Sequence, residues 1–115
     1  MIEEIVDRIA SATSVRAVRY GGRDLPTAPY AVVKTEKLPA GRGIRVILHY
    51  DLDEQCALEE KMREIIKALE NQGFTDAAGN YNRLGRMIDY TDVGPVSDDQ
   101  TITMEALFLM PTTIF

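Results

Sequence analysis

A two-layer α+β domain, with helices over one face of a single sheet, is the fold that these 115 residues predict, and three observations predict it. The chain has the commonest size of one domain, and with 45% hydrophobic residues it can bury one core. One long apolar stripe of helical period lies in its middle, and segments of period-two alternation stand on either side. The predicted order is helix, two strands, long helix, two strands. This gives one domain over residues 1–115, a four-stranded, mainly antiparallel or mixed sheet with an N-terminal helix and one long helix on one face.

Ile2, Ile5, Val6, Ile9 and Ala10 recur at helical spacing, with Glu3, Glu4, Asp7, Arg8 and Ser11 opposite them. Glu3 and Glu4 fall in the first turn, where they oppose the positive end of the helix dipole. Residues 13–19 are rich in Val and Arg and run into Tyr20-Gly21-Gly22, which ends regular structure. Pro26 and Pro29 deny backbone donors and fix φ, so residues 20–29 read as an ordered loop. Residues 30–35 and 44–50 read as a hairpin around the turn at 38–43. In its second strand Ile44, Val46, Leu48 and Tyr50 face one way, and Arg45, Ile47 and His49 the other.

Asp51 followed by Glu54 fits a capping box, and Asp53 is an equally good N-cap for a slightly later start. Leu58, Met62, Ile65, Ile66 and Leu69 then form the core stripe of the long helix. Gly73 is expected to supply a left-handed C′ residue, with Phe74 folding back on Leu69. Residues 76–80 read as a turn, and 84–91 and 101–109 as strands joined by the polar loop 92–100. In the last strand Ile102, Met104, Ala106 and Phe108 oppose Thr103, Glu105, Leu107 and Leu109. A parallel pairing of the second and third predicted strands would require a right-handed crossover.

Charge narrows the partners. Thirteen basic against 18 acidic residues give a net charge of −5, which repels a polyanion. No apolar run approaches the roughly 20 residues of a membrane span. The single Cys56 and an acidic start at Glu3 and Glu4 predict a cytoplasmic protein.

The candidates for chemistry each have a simpler structural explanation. Alternating carboxylates at Asp51 and Asp53 supply hard oxygen ligands for a divalent cation, but they stand where a helix needs caps. His49 has no second ligand or partner nearby in sequence. Cys56 opens the long helix, where a thiol pKa can fall, yet nucleophilic catalysis also needs a base and an orienting group. Tyr20-Gly21-Gly22-Arg23 and Gly41-Arg42-Gly43 lack the glycine spacing of a phosphate loop. No catalytic residue, metal ligand or cofactor is expected. Arg16, Arg19 and Arg23 with Tyr20 form the one basic cluster with an interleaved aromatic; in so acidic a chain a subunit contact suits it better than phosphate, and plain solvated surface better still.

Several segments together carry a resemblance. They are the N-terminal helix, Pro-Tyr-Ala-Val-Val-Lys at 29–34, Gly-Ile-Arg-Val-Ile-Leu-His-Tyr at 43–50, the long helix closing at Gly73-Phe74, and Met-Glu-Ala-Leu-Phe-Leu-Met-Pro at 104–111. In order and spacing they resemble the tail terminator, or tail completion, proteins of long-tailed bacteriophages, over nearly the whole chain. The resemblance implies a non-enzymatic virion part. Its subunits would form a ring, usually of six, on the end of the tail tube, halt tube growth and face the head connector. Partners would then be further copies, the tail tube protein and the head–tail connector protein.

A head-to-tail ring needs two different patches on each subunit. The segment around Arg16, Arg19, Tyr20 and Arg23 is expected on one side, and the acidic loop with Asp92, Asp98 and Asp99 on the other. The competing classes are a small-molecule-binding regulatory module, which needs a concave apolar pocket, and a metal-dependent enzyme using Asp51 and Asp53.

Overall fold

The computed structural model describes residues 2–21, 27–39, 41–75, 77–91 and 101–110. The chain runs through α1 (Ile2–Thr13), β1 (Arg16–Arg19), β2 (Tyr30–Leu38), β3 (Gly41–Asp51), α2 (Gln55–Leu69), β4 (Gly73–Thr75), β5 (Tyr81–Arg83), β6 (Met87–Thr91) and β7 (Thr101–Met110). The α+β class is as expected, but the main sheet has five strands in the order β1-β2-β3-β7-β6. β1 pairs with β2 in parallel, and the other pairings are antiparallel. A separate hairpin joins β4 and β5.

Both expected hairpin partners are found, β2 with β3 and β6 with β7. The second and third predicted strands, β3 and β6, do not pair with each other, so no parallel crossover joins them; β7 lies between them, antiparallel to both. Burial gives the reason. Ile102, Met104, Ala106 and Phe108 are buried on one face of β7 and Leu107 on the other, so this strand belongs in the middle of the sheet. In β6 every residue after Met87 is exposed, which suits an edge.

The fifth strand, β1, has only Ala17 and Val18 between two arginines. Four such residues give little period-two signal, and the hydrogen bonds that define them come from β2, a partner 14 residues along.

The two helices meet the same sheet face. Ile5 and Ile9 of α1 and Leu58, Met62, Ile65 and Leu69 of α2 join Ala31, Val33, Ile44, Val46, Leu48, Met104, Ala106 and Phe108 in one core. The predicted stripe of α2 is buried, except that Ile66 is only partly so. Among the described residues no helix covers the opposite sheet face.

The helix ends correct the expectations. The N-cap of α2 is Glu54 and no side chain caps it, so neither Asp51 nor Asp53 plays the role expected of it. Asp51 remains in β3 as its last residue, and its carbonyl accepts the Glu54 N–H at 3.0 Å. At the other end Glu70 is the extended C-cap, and Asn71, not Gly73, takes the left-handed conformation at φ 59°. Gly73 opens β4 instead, because a Cβ there would run into the Tyr81 side chain of the neighbouring strand. Residues 84–86, expected as strand, are not part of one. Leu84 is fully buried there, and the Gly85 N–H donates to the Leu109 carbonyl at 2.7 Å.

Candidate functional site

Three of the residues expected at a subunit contact stand together at the β1 edge. Arg16 and Arg19 are the exposed ends of the strand, and Tyr20 follows directly, 69% exposed. The parallel register sets their faces. Arg19 lies beside the core residue Val33 and therefore on the helix side, where it makes an ion pair with Glu3 of α1. Arg16 lies beside Tyr30, which pairs with His49 on the helix-free face. The Lys34 ammonium stands 5.2 Å from the centre of the Tyr20 ring. Ile2, Arg19, Tyr20, Val33, Lys34 and Thr35 border a cleft of about 120 Å³, below the several hundred Å³ typical of small-molecule sites. Arg23 lies outside the described residues.

At the opposite edge β6 presents Ile88, Asp89, Tyr90 and Thr91, all exposed. Tyr90 pairs with the core residue Ala106, so it faces the helix side, and its hydroxyl reaches the Met104 sulfur at 3.9 Å. Asp89 pairs with Leu107 and Thr91 with Glu105, which puts both on the helix-free face. Asp92 follows β6 directly in sequence, but Asp92, Asp98 and Asp99 lie outside the described residues. The basic cluster and the strand leading into the acidic loop thus occupy opposite edges of one sheet.

The helix-free face holds a polar group that sequence reasoning did not find. Arg45 of β3 donates to Glu36 of β2, through Nη2 at 2.7 Å and Nε at 3.1 Å, and to Glu105 of β7 at 3.2 Å. All three side chains are half-buried, so the pairing matters more than an exposed ion pair. Further along the same face the Tyr30 and His49 rings stack with centroids 4.4 Å apart. Period two had put Arg45 and His49 on this face. Their partners come from other strands, so only the register could show them.

The hydrogen bonds from Arg45, with its charge and that of Lys34, hold the Glu36 carboxyl below its ordinary value of 4.5 against the opposing effect of burial. The folded state therefore binds this proton less readily than the unfolded chain does. Its contribution to stability is present above pH 4.5 and is lost as pH falls through the folded value. Glu36→Gln is expected to be less stable than wild type by about 1 kcal/mol at neutral pH. Urea melts across the acid range should show that gap closing as Glu36 protonates, and a gap that stays constant would rule out the carboxylate charge as its source.

The residues set aside for chemistry are dispersed. Asp51 and Asp53 are exposed, as is Cys56 in the first turn of α2, while His49 is engaged with Tyr30. Among the described residues no three of His, Cys, Asp or Glu are grouped to hold a metal ion. No helix of the described residues is long and apolar enough to cross a membrane. No family model, curated protein or solved structure matches the chain.

Proposed function

We propose that this chain is a structural subunit of a phage tail. Copies form a ring, of six in the family it resembles, at the end of the tail tube. The ring stops tube growth and joins the tail to the head connector. The tail assignment rests on the order and spacing of the segments at 29–34, 43–50, 53–74 and 104–111. The observation that carries the ring is the placement of Arg16, Arg19 and Tyr20 at one edge of the sheet, with Asp89 and the approach to Asp92 at the other. A ring of head-to-tail contacts needs two unlike patches on separate sides of the subunit. Opposite charge favours encounter and orientation between them, and apolar contact supplies affinity.

Electron microscopy and length distributions of tail tubes assembled with the protein test this reading. Wild-type protein is expected to decorate tube ends and narrow the length distribution, and Arg19→Glu or Asp98→Lys to weaken both effects. Tubes that are neither decorated nor limited in length would remove the terminator assignment. Tubes capped equally well by wild type and by both charge reversals would keep the assignment and remove these two residues from the contact.

A further inference from the structure

We propose that copies of this chain join by continuing the sheet, with β1 of one copy pairing antiparallel to β6 of the next. This deepens the ring reading and shares its head-to-tail premise, but it makes a separate claim about backbone pairing.

Strand direction comes first. β1, β2 and β7 run one way, and β3 and β6 run the other. The two edges are therefore oppositely directed. Copies repeated side by side keep their orientation, so β1 and the neighbour's β6 meet antiparallel, the favoured ladder. An even number of alternations would have brought like directions together.

The backbone groups at the edges come second. The Tyr20 N–H donates to Val33 across the β1–β2 pair at 2.9 Å. By two-residue alternation, the amides and carbonyls of Arg19 and Ala17 point away from β2, toward the outer edge. Among the described residues no strand pairs with that edge, nor with the outer edge of β6, where the Tyr90 N–H donates to the Asp89 carboxylate at 2.9 Å and an incoming strand would take that carboxylate's place. Open edges are ordinarily blunted. Here one edge is four residues long, and the other carries a register shift between Met87 and Asp89, so any pairing is confined to a few residues.

Side chains come third, and they match face by face. On the helix-free face β1 brings Arg16 and Val18, and β6 brings Asp89 and Thr91. Antiparallel pairing sets Arg16 against Asp89 directly or diagonally, a stabilising cross-strand pair. On the helix side β1 brings Ala17 and Arg19, and β6 brings Tyr90, which is 42% exposed. A guanidinium over that ring is a cation–π contact. α1 packs beside β1, with Ala17 against the core it helps to form and Arg19 paired to Glu3, so the incoming strand brings a helix to the side on which Tyr90 is 42% exposed. Two β1 edges facing each other would instead gather four arginines, and like charges across a strand pair destabilise it.

The test uses thiol cross-linking of the full chain at high concentration. In a Cys56→Ser background, Val18→Cys and Thr91→Cys place one thiol on each edge, both on the helix-free face. Mixing the two variants with a short thiol-to-thiol reagent is expected to give mixed Val18→Cys to Thr91→Cys products, well above the collisional level set by wild-type Cys56. Adding Arg16→Glu should lower the yield about fivefold, the equivalent of roughly 1 kcal/mol, and adding Asp89→Lys as well should restore it. Products dominated by Val18→Cys joined to itself, or a mixed yield no higher than that of Cys56, would overturn the pairing. Specific mixed products from a protein that leaves tail tubes alone would keep the pairing and remove the tail reading. Capped tubes without mixed products would do the reverse.

Discussion

Phe108→Ala is expected to lower the unfolding free energy by about 3–5 kcal/mol, the largest loss from any single truncation in the sheet. Phe108 is fully buried in β7, the strand that joins β3 to β6, and its neighbours in register are Ile44 and Met87. Truncation removes the ring and leaves a cavity that two backbone ladders keep from collapsing. The next residue, Leu109, meets a tight backbone crossing, where its carbonyl accepts the Gly85 N–H at 2.7 Å and would stand 2.9 Å from a Cβ on Gly85, which leaves little room for the strand to shift. A domain of this size holds only about 5–15 kcal/mol in total, so the melting temperature should fall by roughly 10 °C or more. Phe108→Leu, which retains most of the apolar volume, should cost clearly less. Chemical and thermal melts read both. A loss below about 1 kcal/mol for alanine would mean that β7 is not an interior strand between β3 and β6.

That β7 is an interior strand was only partly legible. Its alternation identified a strand with one apolar face, but Leu107 on the other face was the sign of burial on both sides, and period two alone could not say which strands would flank it. The hairpin of β2 and β3 and the stripe of α2 were legible because their signals are local: a short connection and a repeat every three or four residues. β1 was not, since four residues with two arginines acquire a strand conformation from β2 rather than from their own pattern. The end of α2 went wrong because Gly73 is a strong signal for a C′ residue, while its actual reason is the Tyr81 side chain packed across it from β5. Glycine can be required by a neighbour as well as by φ, and sequence does not distinguish the two.

The candidate contact divides in the same way. Arg16, Arg19 and Tyr20 stood out as a basic, aromatic cluster, and the structure keeps them together at one edge. Asp89 and Tyr90 carry no such signal, because they lie within a predicted strand, where half of the side chains are expected to face a core. Only the position of β6 at the edge exposes them. The Arg45 group was invisible for a related reason: Glu36 faces Arg45 across the hairpin and Glu105 lies 60 residues from it, so the three meet only through two registers.

The face of α2 admits a sharper test than its existence. Ile65→Ala is expected to cost about 2–5 kcal/mol and Ile66→Ala distinctly less, although the two residues are chemically identical neighbours. Ile65 is fully buried between Met62 and Leu69 on the stripe that meets the sheet, while Ile66 is only partly buried at its margin. Successive residues on a helix are turned by about 100°, so both cannot point at the sheet. Helix propensity cannot account for a difference, since the same substitution is made twice in the same helix interior and alanine favours the helix equally at both sites. The contrast between the two therefore reports packing alone. Urea melts of both variants measure it, with equal denaturant slopes needed for the comparison to hold. If the two losses were equal, or if Ile66 proved the more costly, α2 would be rotated on the sheet, and the core drawn through Leu58, Met62, Ile65 and Leu69 would have to be redrawn.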